Sequence, residues 1–214
     1  MRDIARRDDI HDLILDGVDV LLARYGFKKM TMEDLARQVG IGKGTIYLHF
    51  RSKEELTLSH IDRIAERLLD RLEALAGSAA PPDDRVRKML AERVLYRFDS
   101  VTHYSQSLND LLSSVRKNLL ARRQVHFEKE AAVLERVLRD GVRRGVLACP
   151  DPASAAHVLV WSTNSLLPFS LTTRELGKRK EMEERVSRIA DVLLRGLIRR
   201  SARPSTRTQK PECD

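Results

Sequence analysis

The sequence predicts an all-α protein: an N-terminal three-helix helix-turn-helix head over residues 1–52, then a larger helical body over residues 53–200. Three observations predict it. Apolar residues recur three and four apart through most of the chain. No stretch alternates apolar and polar residues as a half-buried strand does. Glycine and proline clusters cut the chain into helix-sized lengths. With 214 residues, 42% apolar and 33% charged, the chain can bury a substantial core and has the composition of a helix-rich soluble protein.

The elements follow in order. Met1 to Arg7 reads as a basic arm, either frayed or with arginines that approach the minor groove and phosphates. From about Asp9 to Tyr25, Ile10, Leu13, Ile14, Val18, Leu21 and Leu22 keep helical spacing, acidic residues suit the helix N-terminus, and Gly26 ends the run. Thr31 is a good N-cap, with Asp34 three residues on to reach back to the cap's amide. Leu35, Ala36 and Val39 share one face before Gly40, where a left-handed residue would stop the helix. Ile41 plugs the corner and Gly42 is a weak cap for the next helix, Lys43 to Phe50. On it Ile46 and Phe50 face inward, leaving Lys43, Thr45, Tyr47 and His49 outside. Two short helices joined by a glycine-containing turn form a helix-turn-helix, whose second helix presents side chains to the major groove.

Ser52 and Glu55 make a second capping box, opening a helix that runs to about Ala76. A helix of this size spans roughly 35 Å and is a natural lever between the head and the body. Gly77 to Pro82 breaks the pattern. Five further helices are expected: about Asp83 to Arg97, Ser105 to Leu112, Ser113 to Arg144, Pro152 to Thr172 with a kink or early end at Pro168, and Lys180 to Arg200. The last two are apolar on several sides, as a deeply buried or partner-sharing helix is. Ser201 to Asp214 reads as a disordered basic tail.

The net charge of +8 favours polyanionic partners, and its distribution is more telling. Residues 1–23 carry a net −3, whereas residues 24–53 hold seven cations against two carboxylates. Cys149 and Cys213 make no disulfide framework, the first residues lack the apolar run of a signal peptide, and no stretch approaches a membrane span of roughly 20 apolar residues. A reducing cytoplasm is the expected compartment. No nucleophile–base–acid series or phosphate loop stands out, so neither catalysis nor a cofactor is expected. His126 and Glu130 stand four apart on a helix, but no further ligand pair completes a metal site.

The string Thr31-Met-Glu-Asp-Leu-Ala-Arg-Gln-Val-Gly-Ile-Gly-Lys-Gly-Thr-Ile-Tyr-Leu-His-Phe-Arg-Ser-Lys-Glu-Glu-Leu56 resembles the N-terminal signature of the TetR family of transcriptional regulators, and Tyr25-Gly26-Phe27 matches as well. The resemblance covers roughly the first quarter of the chain. Gly42 departs from the family's usual serine, which removes a side-chain cap worth only tenths of a kcal/mol. The resemblance implies a homodimer joined through the last two helices, double-stranded operator DNA as partner, and a repressor that a small-molecule effector releases. It also places phosphate contacts at Thr31 and Lys53, two helix N-termini where backbone amides already favour an anion.

The expected DNA-contacting residues are therefore Thr31, Lys43, Gly44, Thr45, Tyr47, His49 and Lys53. A pocket for a small lipophilic effector is expected among Met89, Tyr96, Phe98, His103, Tyr104, Phe127, His157, Trp161, Asn164 and Phe169, each of which is otherwise ordinary core packing. Two other readings stand beside this one. The body is a helical enzyme or carrier anchored to DNA, or the whole chain is an architectural DNA-binding protein without an effector.

Overall fold

In the computed structural model, which describes residues 2–171 and 173–197, the chain is helical throughout, with no strand among the described residues. Helix α1 spans Arg2–Lys29, and Gly26 within it takes φ 72° and ψ 169°, a conformation open to glycine, so that the last turn changes direction. The helix thus starts at Arg2 rather than Asp9: nothing between these residues breaks a helix, and the expected arm is part of α1. Ile14, Leu15, Val18, Leu21 and Leu22 are its buried face, whereas Leu13 is 46% exposed.

Helix α2 (Met32–Val39) and α3 (Lys43–His49) pack their Leu35, Ala36 and Ile46 onto that face, and Phe50 closes the group. Thr31 Oγ1 accepts from the Asp34 amide at 3.1 Å. Its hydroxyl donates to the Asp34 carboxylate at 2.6 Å, so that carboxylate engages the cap's hydroxyl where the sequence suggested its amide. Gly40 stops α2 in the left-handed region at φ 75°, and Gly42 caps α3 without a side-chain bond. Gly17 of α1 lies against the Leu35 and Val39 side chains of α2. A Cβ there would stand 2.5 Å from Val39 Cγ2 and 2.9 Å from Leu35 Cδ1.

Helix α4 (Lys53–Ala76) starts at the Ser52 cap, with Ser52 Oγ accepting from the Glu55 amide at 3.1 Å and Glu55 accepting from the Arg51 amide at 2.8 Å. It then enters the body between α5 (Pro82–Val101) and α6 (Leu108–Arg143). The two helices expected over 105–144 are one. Leu108, Leu111, Val115 and Leu119 hold their spacing across Leu112 and Ser113, so nothing stops the helix, and a 3-10 turn over Thr102–Ser107 precedes it. Helix α7 (Pro152–Ser162) ends well before Thr172. Leu167 is extended at ψ 146°, as a residue before proline prefers, and two short 3-10 turns replace the remaining helix around Pro168. A single turn, α8 (Thr173–Leu176), leads to α9 (Arg179–Leu197), which packs on α5. Residues 201–214, expected to be a disordered tail, lie outside the described residues.

Head and body are joined by more than α4. Arg63 on α4 is buried and donates to the Asp12 carbonyl at 3.1 Å and to the Asp16 carboxylate at 2.8 Å, both on α1. Asp19 lies 3.0 Å from His103 and 3.6 Å from His60, and Lys28 pairs with Asp110 at 2.8 Å.

Candidate nucleic-acid interface

Ile46 and Phe50 are buried against α1, which turns the opposite side of α3 outward. Lys43 and Gly44 are exposed, Thr45 is half-buried and Tyr47 is 45% exposed. Nothing stands within 4 Å of a Cβ built at Gly44, so the backbone there is open to close approach. Thr31 is exposed at the start of α2. His49 is half-buried, its ring 6.4 Å from Phe50 and 6.3 Å from His11, so packing already holds it. Lys53 Nζ sits 4.3 Å above the Phe27 ring and donates to the Lys28 carbonyl at 3.4 Å, and partial burial lowers its pKa against the opposing pull of Glu54. The head thus gathers the seven expected contact residues around α3 and the two helix starts.

One outward side chain was missed from the sequence. Leu48 is 78% exposed on α3, the most exposed of the large apolar side chains described. The signal was present, because Leu48 stands two residues from both Ile46 and Phe50 and so falls on the opposite side of the helix.

The body holds an apolar cavity of about 70 Å³ among α4, α5, α6 and the turn at Pro168. The structure brings three of the ten expected pocket residues to it: Tyr104, Phe127 and Phe169. Met89 and Phe98 are packed in the core. Tyr96 and His103 border an open polar cleft on the other side of α5, with Arg71 over the Tyr96 ring. His157 pairs with Glu128 at 2.8 Å, and Trp161 is 57% exposed. Asn164 accepts from Arg93 at 2.7 Å. The walls that sequence reasoning missed come from Ile61, Ile64 and Ala65 of α4 and from Arg97, Arg123 and His126.

Beneath the cavity lies a buried ion network. Arg93 donates to Glu130 at 2.6 Å, to Thr163 at 2.6 Å and to Asn164, and Arg97 pairs with the other Glu130 oxygen. Burial pulls Arg93 down to about 10 despite Glu130. Burial resists charge on Glu130, but Arg97 and Arg93 outweigh it and hold the carboxyl below its usual range. His126 meets Asp62 at 2.9 Å, so His126 and Glu130 face different partners, and no metal-binding cluster occurs among the described residues.

The family model for bacterial regulatory proteins of the tetR family matches residues 14–59, the stretch from the buried face of α1 to the start of α4. The transcriptional regulator YhgD of Bacillus subtilis is 24% identical over 155 residues, 71% of this chain and 79% of YhgD. The chain belongs to the TetR family of transcriptional regulators. Another relative is the transcriptional repressor KstR2 of Mycobacterium tuberculosis, 24% identical over 62% of this chain and 66% of that protein. A TetR-family regulator from Pectobacterium atrosepticum shares the fold with a TM-score of 0.72 at 20% identity, over 91% of this chain and 96% of the other. This TetR-family chain is accordingly a DNA-binding transcription regulator, and its relatives and fold neighbours are regulators rather than enzymes. No helix among the described residues is long and apolar enough to cross a membrane.

Proposed function

We propose that the chain represses transcription as a homodimer, with residues 1–52 as the DNA-binding domain and residues 53–200 as the effector-binding and dimerisation domain. The observation that carries the reading is the outward face of α3: Lys43, Gly44 and Tyr47 are exposed there with Thr45 half-buried beside them, an arrangement that suits a helix entering the major groove. Thr31 and Lys53 take phosphates on either side, and His49 supports the same backbone. Repression is favoured by the kinship with KstR2.

Val158 and Trp161 on α7 and Val192 on α9, which is 70% exposed, supply apolar surface for a two-fold mate. An effector enters the cavity beside α4. Its volume of about 70 Å³ is small beside the roughly 300–1,000 Å³ of common ligand pockets. A ligand therefore binds by pushing the Ile61 and Ile64 wall outward, and α4 carries that displacement to the head. The ligand needs only to prefer the spacing of heads that does not fit DNA.

Selection of bound duplexes from a random pool, followed by footprinting, tests the reading. A discrete two-fold site with half-sites about one helical turn apart is expected. Protection without a preferred sequence would leave an architectural role instead.

A further inference from the structure

The cavity beside α4 carries a charge asymmetry that its apolar walls conceal. Its lining includes Arg97, Arg123 and His126 and no carboxylate. Behind the wall, Arg93 and Arg97 share the single carboxylate of Glu130. On the flank, Arg122 and His126 share Asp62. Four arginines, 93, 97, 122 and 123, thus surround the cavity against two carboxylates.

Arg123 is the group left over. Among the described residues no carboxylate pairs with it. Its guanidinium lies 4.8 Å from the Phe169 ring centre and 5.5 Å from that of Phe127. Two aromatic faces hold a guanidinium in place while leaving its N–H edges unused. It also borders the neighbouring opening between Leu119 and Phe169, so it stands where the cavity meets the surface. Burial, reinforced by Arg116, lowers its pKa, as expected of a cation without a counter-ion.

We propose that this cavity takes an amphipathic anion, an apolar body seated between α4 and Phe127 with a terminal oxyanion, carboxylate or phosphate, held by Arg123 at the mouth. The inference rests on the effector reading above and names its ligand class. The planar guanidinium fork matches either oxyanion, and a partly desolvated bond of this type is worth roughly ten- to one-hundred-fold in affinity. The apolar body meets Ile61 and Ile64, the part of α4 that must move.

The test uses the full chain and four matched series, hexanoate to dodecanoate, the monoalkyl phosphates, the primary alcohols and the alkylammonium ions of the same lengths. Calorimetry reads binding and fluorescence anisotropy reads release of the selected operator. Anions are expected to bind roughly ten-fold or more tightly than alcohols of equal length. Carboxylate against phosphate affinity identifies which oxyanion fits. Arg123→Gln should erase the preference for anions over alcohols of equal length, and Arg123→Lys should restore part of it. Equal binding of alcohols and anions, tighter binding of alkylammonium ions, or an undiminished preference in Arg123→Gln would overturn the anion site without touching the effector reading. Anions that bind through Arg123 but leave the operator bound would support the site and overturn the effector coupling. Failure of every series to bind would overturn the site itself.

Discussion

Arg63 on α4 donates to the Asp16 carboxylate of α1 at 2.8 Å, and this bond ties α4 to the first helix of the helix-turn-helix head. Arg63 is buried, whereas the Asp16 side chain is 64% exposed, so water screens one partner only. Removing the carboxylate leaves Arg63 with the Asp12 carbonyl at 3.1 Å and the Asp12 carboxylate at 3.7 Å. Asp16→Ala is therefore expected to cost about 1 kcal/mol, between an exposed and a buried pair, and to lower the melting temperature by roughly 2–4 °C. An unchanged melting curve would show that Asp12 alone suffices.

His60 gives the folded state a pH dependence. It is buried on α4 beside Tyr104 and Asp19, and its Nδ1 has no hydrogen-bond partner. Burial holds its pKa down to about 4, against the opposing pull of Asp19. In the unfolded chain it titrates near 6.5. The unfolded state thus binds the extra proton first, and this contribution to stability is lost as pH falls from about 6.5 to about 4, at up to about 1.4 kcal/mol per pH unit. Denaturant titrations at pH 7 and pH 5 are expected to show that loss in the parent and a smaller one in His60→Gln. Equal losses in both would remove His60 as the source.

Gly17 is required by packing rather than by backbone conformation. A methyl there would meet Val39 and Leu35 at 2.5 and 2.9 Å, side chains that seat α2 on α1. Gly17→Ala is expected to destabilise the head by about 1–3 kcal/mol and to weaken operator binding at temperatures where the body is still folded. Circular dichroism melts with parallel anisotropy titrations check both, and a mutant with the parent's stability would mean that α2 shifts without cost.

The reading head was largely legible in the sequence because its signals are local. Thr31, Gly40, Gly42 and Ser52 mark helix ends through bonds spanning three or four residues, and all four do so in the structure. The body was less legible because its decisive contacts join distant residues. Arg93 bonds to Glu130, Thr163 and Asn164 across 37 to 71 positions, so Asn164 reads as a pocket residue until its partner is seen. Trp161, expected in the pocket, is 57% exposed on α7, while Ile61 and Ile64 of the helix after Ser52 supply walls that nothing local in the sequence marks.

Glu130 holds two arginines in the interior. Its side chain is 1% exposed and Arg93's is 0%. Glu130→Ala would leave both cations buried without a carboxylate, and such losses commonly cost about 3–5 kcal/mol. The expected result is a chain that unfolds at markedly lower denaturant concentration, whereas Glu130→Gln, which keeps an acceptor but no charge, should fall between mutant and parent. A mild effect in Glu130→Ala would mean that Thr163, Asn164 and entering water compensate the arginines.

Tyr47 and Lys53 separate the two ways a head of this kind would hold DNA. Tyr47 is 45% exposed on α3 and is not among the buried core residues, so Tyr47→Ala should lower the melting temperature little. It should weaken binding to the selected operator by roughly 1–3 kcal/mol and relax sequence preference, as loss of a base contact does. Lys53 starts α4, and to reach a phosphate its Nζ must leave the Lys28 carbonyl and the Phe27 ring. Lys53→Ala should lower affinity for specific and random duplexes alike and reduce the slope of log affinity against log salt by about one. Anisotropy titrations over a range of salt concentrations read both effects. If Tyr47→Ala lowered affinity equally on all sequences, its hydroxyl would be a phosphate contact, and Leu48, 78% exposed beside it, would become the residue to test for a thymine methyl.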